Sequence, residues 1–148
     1  MAITQAMCTR FKRDVMLGLH DLDSDTIKIA LFTSAATLSA STTAYNTNGD
    51  SGSTAVEVAN GNGYTTGGIP LPGTKSVVEN STSGCFTSGN PEFTSATFTA
   101  RGALIYNSTE SNLAIAVLDF GGNFTVSGGT FSIVFPAQTK DTAIVRID

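Results

Sequence analysis

The chain has 148 residues, of which only 14% are charged, and its formal net charge is −4. This length suits one domain with its own core, so we expect a single domain over residues 1–148. The low and net negative charge argues against nucleic-acid binding, which needs clustered Lys and Arg, and no apolar stretch approaches the roughly 20 residues that span a bilayer.

The N-terminus lacks the pattern of a secretion signal, because its basic residues come late and no apolar run follows them. We therefore expect synthesis in a bacterial cytoplasm and a protein that associates with no membrane. The two cysteines, Cys8 and Cys85, lie far apart in sequence. Two such cysteines make neither a disulfide scaffold nor a metal site, so free thiols are expected.

The first predicted element is a helix over residues 10–19. Helical spacing places four apolar side chains on one stripe, namely Phe11, Val15, Met16 and Leu19. Thr9 is placed to cap the start of this helix, and Gly18 to help end it. The residues before it, 1–9, are predicted to form an N-terminal arm.

A basic cluster lies at the start of this helix. It consists of Arg10, Lys12 and Arg13, and Asp14 follows at once. Such a run is typical of a solvated helix face. We also take the three basic residues as candidates for contact with a protein partner.

Residues 26–32 form the first predicted strand, with Ile27, Ile29 and Leu31 on one face. Residues 40–63 are predicted to be a long loop, because Asn and Gly turn formers dominate them. A loop of this length inside a compact domain is usually functional or disordered. Tyr45, Asn46 and Asn48 in this loop are therefore further candidates for partner contact.

The rest of the chain reads as short strands separated by turn residues. Pro70 and Pro72 exclude a central strand near residues 64–71, because proline cannot donate to a strand ladder. Strands are predicted at residues 75–80, 85–87, 93–100, 103–106, 113–120, 130–135 and 142–147, with a turn at Gly121-Gly122-Asn123. This pattern predicts an all-β, antiparallel β-sandwich, jelly-roll-like, with one short N-terminal helix.

Chemical sites are weakly represented. His20 is the only histidine and lies beside Asp21, but no Gly-x-Ser-x-Gly elbow offers a nucleophile. Asp21, Asp23 and Asp25 alternate as in a calcium loop, yet position six is Thr26 and position twelve is Phe32, so the pattern fails. We expect a local turn here, no metal and no cofactor.

Asp119 is the one acid inside an apolar predicted strand. A buried carboxylate needs a partner, and Arg101 is its most natural counter-ion. We predict a structural Arg101–Asp119 ion pair in preference to a catalytic carboxylate pair. The chain has no tryptophan, which makes a carbohydrate-binding face a weak alternative.

The chain resembles a family of small structural proteins of tailed bacteriophages. The blocks that carry the resemblance are residues 11–18 with His20-Asp21, then 25–33, 63–68, 100–107, 116–121 and 143–147. The resemblance covers nearly the whole chain, and its blocks are structural, with no catalytic residue among them. The resemblance implies a virion component, most like a head decoration (cement) protein.

That resemblance sets the functional expectation. A decoration protein would be non-enzymatic, sit on the capsid exterior, and bind the major capsid protein as well as itself, as a dimer or trimer. Many weak contacts would add up through avidity. We expect the arm 1–9 and the loop 40–63 to reach neighbouring subunits, and removal of residues 1–9 to leave the fold intact. The alternative is a tail or fibre module that contacts the host surface.

Overall fold

The computed structural model describes residues 2–53 and 56–148. In this part of the chain, one short helix and eight strands follow one another. Their bounds are β1 Ala6–Met7, α1 Thr9–Met16, β2 Ile27–Phe32, β3 Ile69–Pro70, β4 Ser76–Asn80, β5 Ser83–Thr87, β6 Glu92–Asn107, β7 Leu113–Ser132 and β8 Val145–Ile147.

The strands form two antiparallel sheets. The larger sheet has the order β1-β7-β6-β2-β3, and the smaller one has the order β4-β5-β8. The predicted all-β antiparallel class with one short helix is thereby confirmed, and the arrangement is compatible with a β-sandwich. β3 lies at a sheet edge, as the two prolines predicted.

A single long hairpin replaces several of the predicted short strands. β6 spans 16 residues and β7 spans 20, so the predicted breaks inside 93–106 and 113–135 are wrong. The glycines that suggested a turn act instead as irregularities within the strand. Gly121 and Gly128 have φ values of +79° and +67°, and register shifts interrupt the pairing of the two strands. Such bulges bend and twist a strand without ending it.

The two halves of this hairpin have different surroundings. The half near its turn is flanked by β2 and β1, and its residues from Gly102 to Asn107 are buried. The other half, residues 92–100 and 121–132, pairs with no third strand among the described residues, and we call it the outer ribbon. Its aromatic face packs on the fold, because Phe93 and Phe98 contact the ring of Tyr64.

Helix α1 is shorter than predicted and buries a different face. Thr9 lies in its first turn, while Cys8 occupies the capping position without a side-chain hydrogen bond. Gly18, at φ +70°, ends the helix as expected. Phe11 is buried, but Met16 is 81% exposed. The apolar stripe is wrong there, because five residues separate the two side chains by roughly 140° around a helix.

The predicted N-terminal arm is part of the fold. Ile3 and Cys8 belong to the hydrophobic core, and β1 pairs with β7. The N–H of Thr4 donates to the carbonyl of Leu38 at 2.8 Å. Removal of residues 1–9 would therefore take apolar side chains out of the core, and on this structure we expect it to destabilise the fold.

The long loop also folds back onto the larger sheet. Val56 and Val58 are buried in the core, and the N–H of Tyr45 donates to the carbonyl of Asn112 at 2.8 Å. The described parts of residues 40–63 are thus anchored at several points along their length.

Candidate interaction surface

Large apolar side chains are exposed in two areas of the described chain. One area adjoins α1 and the smaller sheet, and the other follows the outer ribbon. The exposed residues are Met16, Leu17, Leu19, Val77 and Ile147 in the first area and Phe124 and Val134 in the second, while the exposed Val78 lies on the opposite face of β4 from Val77. Contiguous apolar surface of this kind marks binding sites in soluble proteins.

A groove runs between helix α1 and strand β8. It is a cavity of about 490 Å³ that we call the helix–strand groove, and it is lined by Met7, Lys12, Val15, Met16, Arg146 and Ile147. Strand β8 supplies one wall. Val145 and Ile147 are two residues apart and so share one face of the strand, where Val145 is buried and Ile147 is 49% exposed. The helix supplies the other wall through Val15 and Met16.

The rim of the groove is positively charged. Lys12 is exposed and has no ion-pair partner within residues 2–53 and 56–148. Arg146 donates to the carbonyl of Lys140 at 2.8 Å and lies 3.0 Å from the carboxylate of Asp148. An apolar side chain with a neighbouring carboxylate would therefore complement this surface.

A second cavity of about 490 Å³ adjoins the first. Val15 and Ile147 line both cavities, and Phe11, Val77 and Phe86 line only this one. Asp21 and Asp23 lie at its polar side. The two cavities together make a largely apolar depression with cations at one end and carboxylates at the other.

Two of the three predicted basic contact residues are engaged within the chain. Arg10 Nε lies 2.6 Å from Asp14 Oδ2, and Arg13 Nη1 lies 3.3 Å from Asp14 Oδ1. The Asp14 side chain is fully buried, although the sequence suggested only that it offset a basic surface. Lys12 alone among the three forms no ion pair within the part of the chain that the structure describes.

His20 is held in place by a polar cluster at the end of α1. Asn107 Oδ1 accepts the N–H groups of Thr109 and Glu110, so its Nδ2 is the donor that reaches His20 Nδ1 at 3.0 Å. The neutral ring therefore carries its proton on Nε2, which is buried and lies 3.9 Å from Asp14 Oδ2. Neither nitrogen is open to a substrate.

Burial sets the charge state of this histidine. Loss of water lowers the pKa of His20 below its ordinary value, and the nearby carboxylates of Asp14 and Asp25 offset only part of that effect. A neutral ring with both nitrogens enclosed serves as a structural link between α1 and the turn after β6. This geometry offers no general base to a reacting group.

Tyr45 is committed to a buried carboxylate. Its hydroxyl donates to Glu57 Oε2 at 2.8 Å, and its ring stacks on Tyr106 at 4.5 Å. Tyr64 donates to Glu57 Oε1 at 2.5 Å, and the N–H of Gly67 donates to the same oxygen at 2.7 Å. The cluster holds the loop against the sheet, so Tyr45 is a structural residue with limited surface for a partner.

The same burial raises the pKa of the tyrosines. Loss of water raises the pKa of Tyr64 and of Tyr45 well above the ordinary value, and the bonds to Glu57 add to the effect. Burial likewise raises the pKa of Tyr106 to about 12. All three hydroxyls stay protonated at physiological pH, so they act as hydrogen-bond donors and never as anions.

Asn46 and Asn48 are exposed and shape a turn. Asn46 Oδ1 accepts the N–H of Asn48 at 3.0 Å, and Asn46 Nδ2 donates to Asp50. The side chain of Asn48 faces solvent, and no described contact engages it. Neither residue lines the helix–strand groove.

The aspartates after the helix form the predicted turn. The N–H of Asp21 donates to Asp25 Oδ2 at 2.9 Å, and the N–H of Ser24 donates to Asp21 Oδ1 at 3.2 Å. The described residues contain no group of three or more acidic, His or Cys side chains arranged to hold a metal ion. Both cysteines are free and buried.

Arg101 and Asp119 lie together as an ion pair on adjacent strands. The two side chains are 25% and 27% exposed, so the pair lies at the surface, although the sequence suggested a buried carboxylate. The Arg101 guanidinium holds the pKa of Asp119 below its usual range, and the N–H of Gly121 assists. The pair braces β6 against β7 near the start of the outer ribbon.

Sequence reasoning missed most of the groove. It assigned Met16 to a buried stripe and gave no role to Met7, Arg146 or Ile147. The angular position of Met16 relative to Phe11 was the available signal. For the β8 wall there was no such signal, because the groove brings together residues of α1 and β8 that lie more than a hundred positions apart in sequence.

Comparison with protein-family models, with curated proteins and with solved structures gives no match to this chain. Among the described residues, no helix has the length and apolar content that crossing a membrane requires.

Proposed function

We propose that this protein is a non-enzymatic structural component of a tailed-bacteriophage virion, a capsid decoration protein that docks through the helix–strand groove. The observation that supports it best is the exposure of Met16 and Ile147 on opposite walls of an apolar groove. A protein that binds no partner would gain nothing from exposing such large apolar side chains to water. The sequence resemblance supplies the viral setting.

The chemistry of the groove favours a protein partner. Its floor is apolar, and the unpaired ammonium of Lys12 lies at its rim. The expected occupant is a segment of the major capsid protein that presents an apolar side chain next to a carboxylate. One such contact is small, but a shell offers many identical copies of it, and avidity then stabilises the whole layer.

The proposal includes a location and an assembly. The protein would be made in the host cytoplasm and reside on the capsid exterior, with copies associated as a dimer or trimer. We further propose that the two sheets are the layers of a β-sandwich with jelly-roll-like connections. The virion setting requires neither a cofactor nor a nucleic-acid contact.

A tail or fibre module that contacts the host surface is the second candidate. The exposed Phe124 favours it, because aromatic side chains are enriched at recognition surfaces. Cryo-EM of the particle separates the two candidates. Copies distributed over the head would support decoration, and copies confined to the tail would support host contact.

A binding experiment tests the groove itself. Met16→Asp should abolish attachment to purified shells that lack the protein, because it places a carboxylate in the apolar wall. Val78→Asp is the matched control, since Val78 is a large apolar residue, 39% exposed, that lies outside the groove lining. Attachment should survive in the control, and equal loss in both variants, or in neither, would refute docking through the groove.

Any turnover would contradict the non-enzymatic proposal. The purified chain should convert no substrate in a way that depends on an acid or on the single imidazole. A reaction whose rate disappears in either His20→Gln or Asp119→Asn, while the fold is retained, would replace the proposal with a hydrolase on a β scaffold.

A further inference from the structure

The outer edge of strand β7 is open over the outer ribbon. Within the described residues β1 pairs only with Ala116 and Val117, and no strand pairs on this side beyond them. Side chains added at Gly121, Gly122 or Gly128 would meet nothing within 4 Å. A row of backbone N–H and C=O groups at such an edge is a template for pairing with another chain.

The sequence of this edge is complementary to itself. Residues 120–130 read F-G-G-N-F-T-V-S-G-G-T, with Thr125 at the centre. An antiparallel pairing of this stretch with a second copy about Thr125 would place Phe124 opposite Val126 and Asn123 opposite Ser127. The two glycine pairs would also lie opposite each other. From Gly121 to Gly129, apolar, polar and glycine positions therefore match their own kind, as an isologous two-fold contact favours, and only the outermost pair, Phe120 with Thr130, differs.

The glycine irregularities limit the length of this pairing. Gly121 and Gly128 have positive φ values and lie at bulges, whereas Phe124 to Ser127 keep a regular ladder with β6. Bulges at both ends twist the edge away from any partner. The pairing would consequently use about five residues, the ordinary length of a strand.

The charge distribution favours a second copy as the occupant. No residue between Phe120 and Thr139 is charged, and none is charged on the facing stretch of β6 from Phe93 to Ala100. The chain as a whole carries a net charge of −4. Two copies can meet here without opposing like charges, whereas a strongly charged partner would find no complementary group.

Apolar side chains beside the edge extend the contact. Phe120, Phe124, Phe131, Ile133 and Val134 line a cavity of about 280 Å³ on the ribbon. Val134 is 78% exposed and Phe124 is 53% exposed in the single chain. A neighbouring copy paired along β7 would cover part of this surface and add apolar burial to the backbone hydrogen bonds.

We propose that two copies of this chain associate through a two-fold antiparallel pairing of their β7 edges about Thr125. The pairing joins two outer ribbons into one four-stranded sheet. The role of this dimer on a shell rests on the proposed function. The pairing itself is tested on the isolated chain, so its failure and the failure of shell docking are distinguishable.

A cysteine placed at the two-fold position gives the direct test. Paired residues of antiparallel strands have Cα atoms roughly 4.5–5.5 Å apart, within the range that a disulfide spans. Thr125→Cys should form a covalent dimer rapidly under mild oxidation, because the native Cys8 and Cys85 are buried. Thr82→Cys, at an exposed turn, is the matched control and should cross-link slowly.

A charge at the same position gives the converse test. Thr125→Lys would place two ammonium groups opposite each other, while Thr82→Lys changes the net charge equally at a distant exposed site. Sedimentation velocity over a concentration series should show twice the mass of one chain for the wild type and for Thr82→Lys. It should show one chain for Thr125→Lys, whose fold is checked by circular dichroism.

Several results would overturn the pairing. They are a wild-type chain that stays monomeric at every concentration, a dimer that Thr125→Lys leaves unchanged, and cross-linking of Thr125→Cys no faster than that of Thr82→Cys. A trimer held by another surface would also overturn it, and would show three times the mass of one chain in the wild type and in Thr125→Lys alike. If Thr125→Lys fails to fold, the cysteine pair decides alone.

Discussion

Two buried carboxylates, Asp14 and Glu57, are accommodated in opposite ways. Asp14 is fully buried, and two guanidinium groups reach it at 2.6 and 3.3 Å. Glu57 is 6% exposed, and the hydrogen bonds to its carboxylate come from neutral donors, two tyrosine hydroxyls and one backbone N–H. One carboxylate is paired directly with guanidinium groups, and the other accepts hydrogen bonds from neutral donors.

The two carboxylates differ in whether water could solvate their hydrogen-bond donors once the carboxylate is removed. The side chains of Arg10 and Arg13 are 34% and 61% exposed, so water can solvate them if Asp14 is removed. The hydroxyl of Tyr64 and the N–H of Gly67 are buried and have no such recourse. A buried donor left without an acceptor lowers the free energy of unfolding more than a donor that water can reach. Glu57 should therefore matter more to stability, although it forms no ion pair in the described structure.

The largest expected effect comes from removing Glu57. Glu57→Ala leaves the donors of Tyr45, Tyr64 and Gly67 without their acceptor, and we expect the free energy of unfolding to fall by about 4 kcal/mol. Urea denaturation followed by tyrosine fluorescence measures it. A loss below about 1 kcal/mol would mean that water enters the cluster and replaces the carboxylate.

Glu57→Gln separates hydrogen bonding from charge. The amide keeps an acceptor oxygen for Tyr64 and Gly67, and its N–H can donate to the hydroxyl of Tyr45, which also accepts. It should lose less than half as much stability as Glu57→Ala. Equal losses in the two variants would show that the negative charge itself is needed, which would remove the contrast with Asp14.

Removing Asp14 should cost less. Asp14→Ala leaves two arginines that water can reach, so we expect the free energy of unfolding to fall by about 2 kcal/mol, mainly through lost burial and the broken pair with Arg10. Urea denaturation again provides the measurement. Arg13→Ala is the control, with a change of about 0.5 kcal/mol or less, because that pair is largely in solvent. A larger loss for Asp14→Ala than for Glu57→Ala would reverse the comparison.

Local sequence signals predicted the elements that depend on neighbouring residues. β2 and β4 follow from alternation and β-branched residues, and the edge position of β3 follows from Pro70. The burial of Glu57 could not be predicted in this way. Its partners Tyr45 and Tyr64 lie 12 residues before it and 7 residues after it in the sequence. Only the folded loop brings their hydroxyls to the one carboxylate.

The prediction of short strands in place of the long β6–β7 hairpin was wrong for a related physical reason. Gly121-Gly122 and Gly128-Gly129 are compatible with a turn or with a bulge, and local sequence does not distinguish the two. The pairing of residues 124–132 with residues 93–100 decides in favour of the bulge, because a continuous β7 satisfies the backbone of both strands. The helix–strand groove likewise could not be predicted locally, because residues from the two ends of the chain line it together.

The pH dependence of stability tests the surroundings of Asp14. Burial lowers the pKa of His20 from 6.5, so the unfolded chain binds a proton more readily than the folded one. The contribution is fully present above pH 6.5 and is lost as pH falls from there towards the folded pKa. Unfolding free energies between pH 7 and pH 5 should therefore decline with acidification.

His20→Gln provides the reference for that titration. Glutamine can accept from Asn107 but does not titrate, so subtracting its pH profile removes the contribution of carboxylates. Because His20 is the only histidine, the difference reports this one ring. A difference that stays flat, or that rises on acidification, would show that Asp14 attracts the proton more strongly than burial repels it.

Asp119 offers an exposed counterpart to both buried carboxylates and should give the smallest effect. Arg101 lowers the pKa of Asp119 from 3.8, and the N–H of Gly121 lowers it further. The pair therefore stabilises the fold at neutral pH, and this contribution is lost as pH falls through the lowered pKa. In an NMR titration, Arg101→Gln should move the pKa of Asp119 back towards 3.8 without fully restoring it, because the N–H of Gly121 still donates. Arg146→Gln should leave that titration unchanged, and a shift in this control would show that general surface charge, and not the pair, sets the pKa.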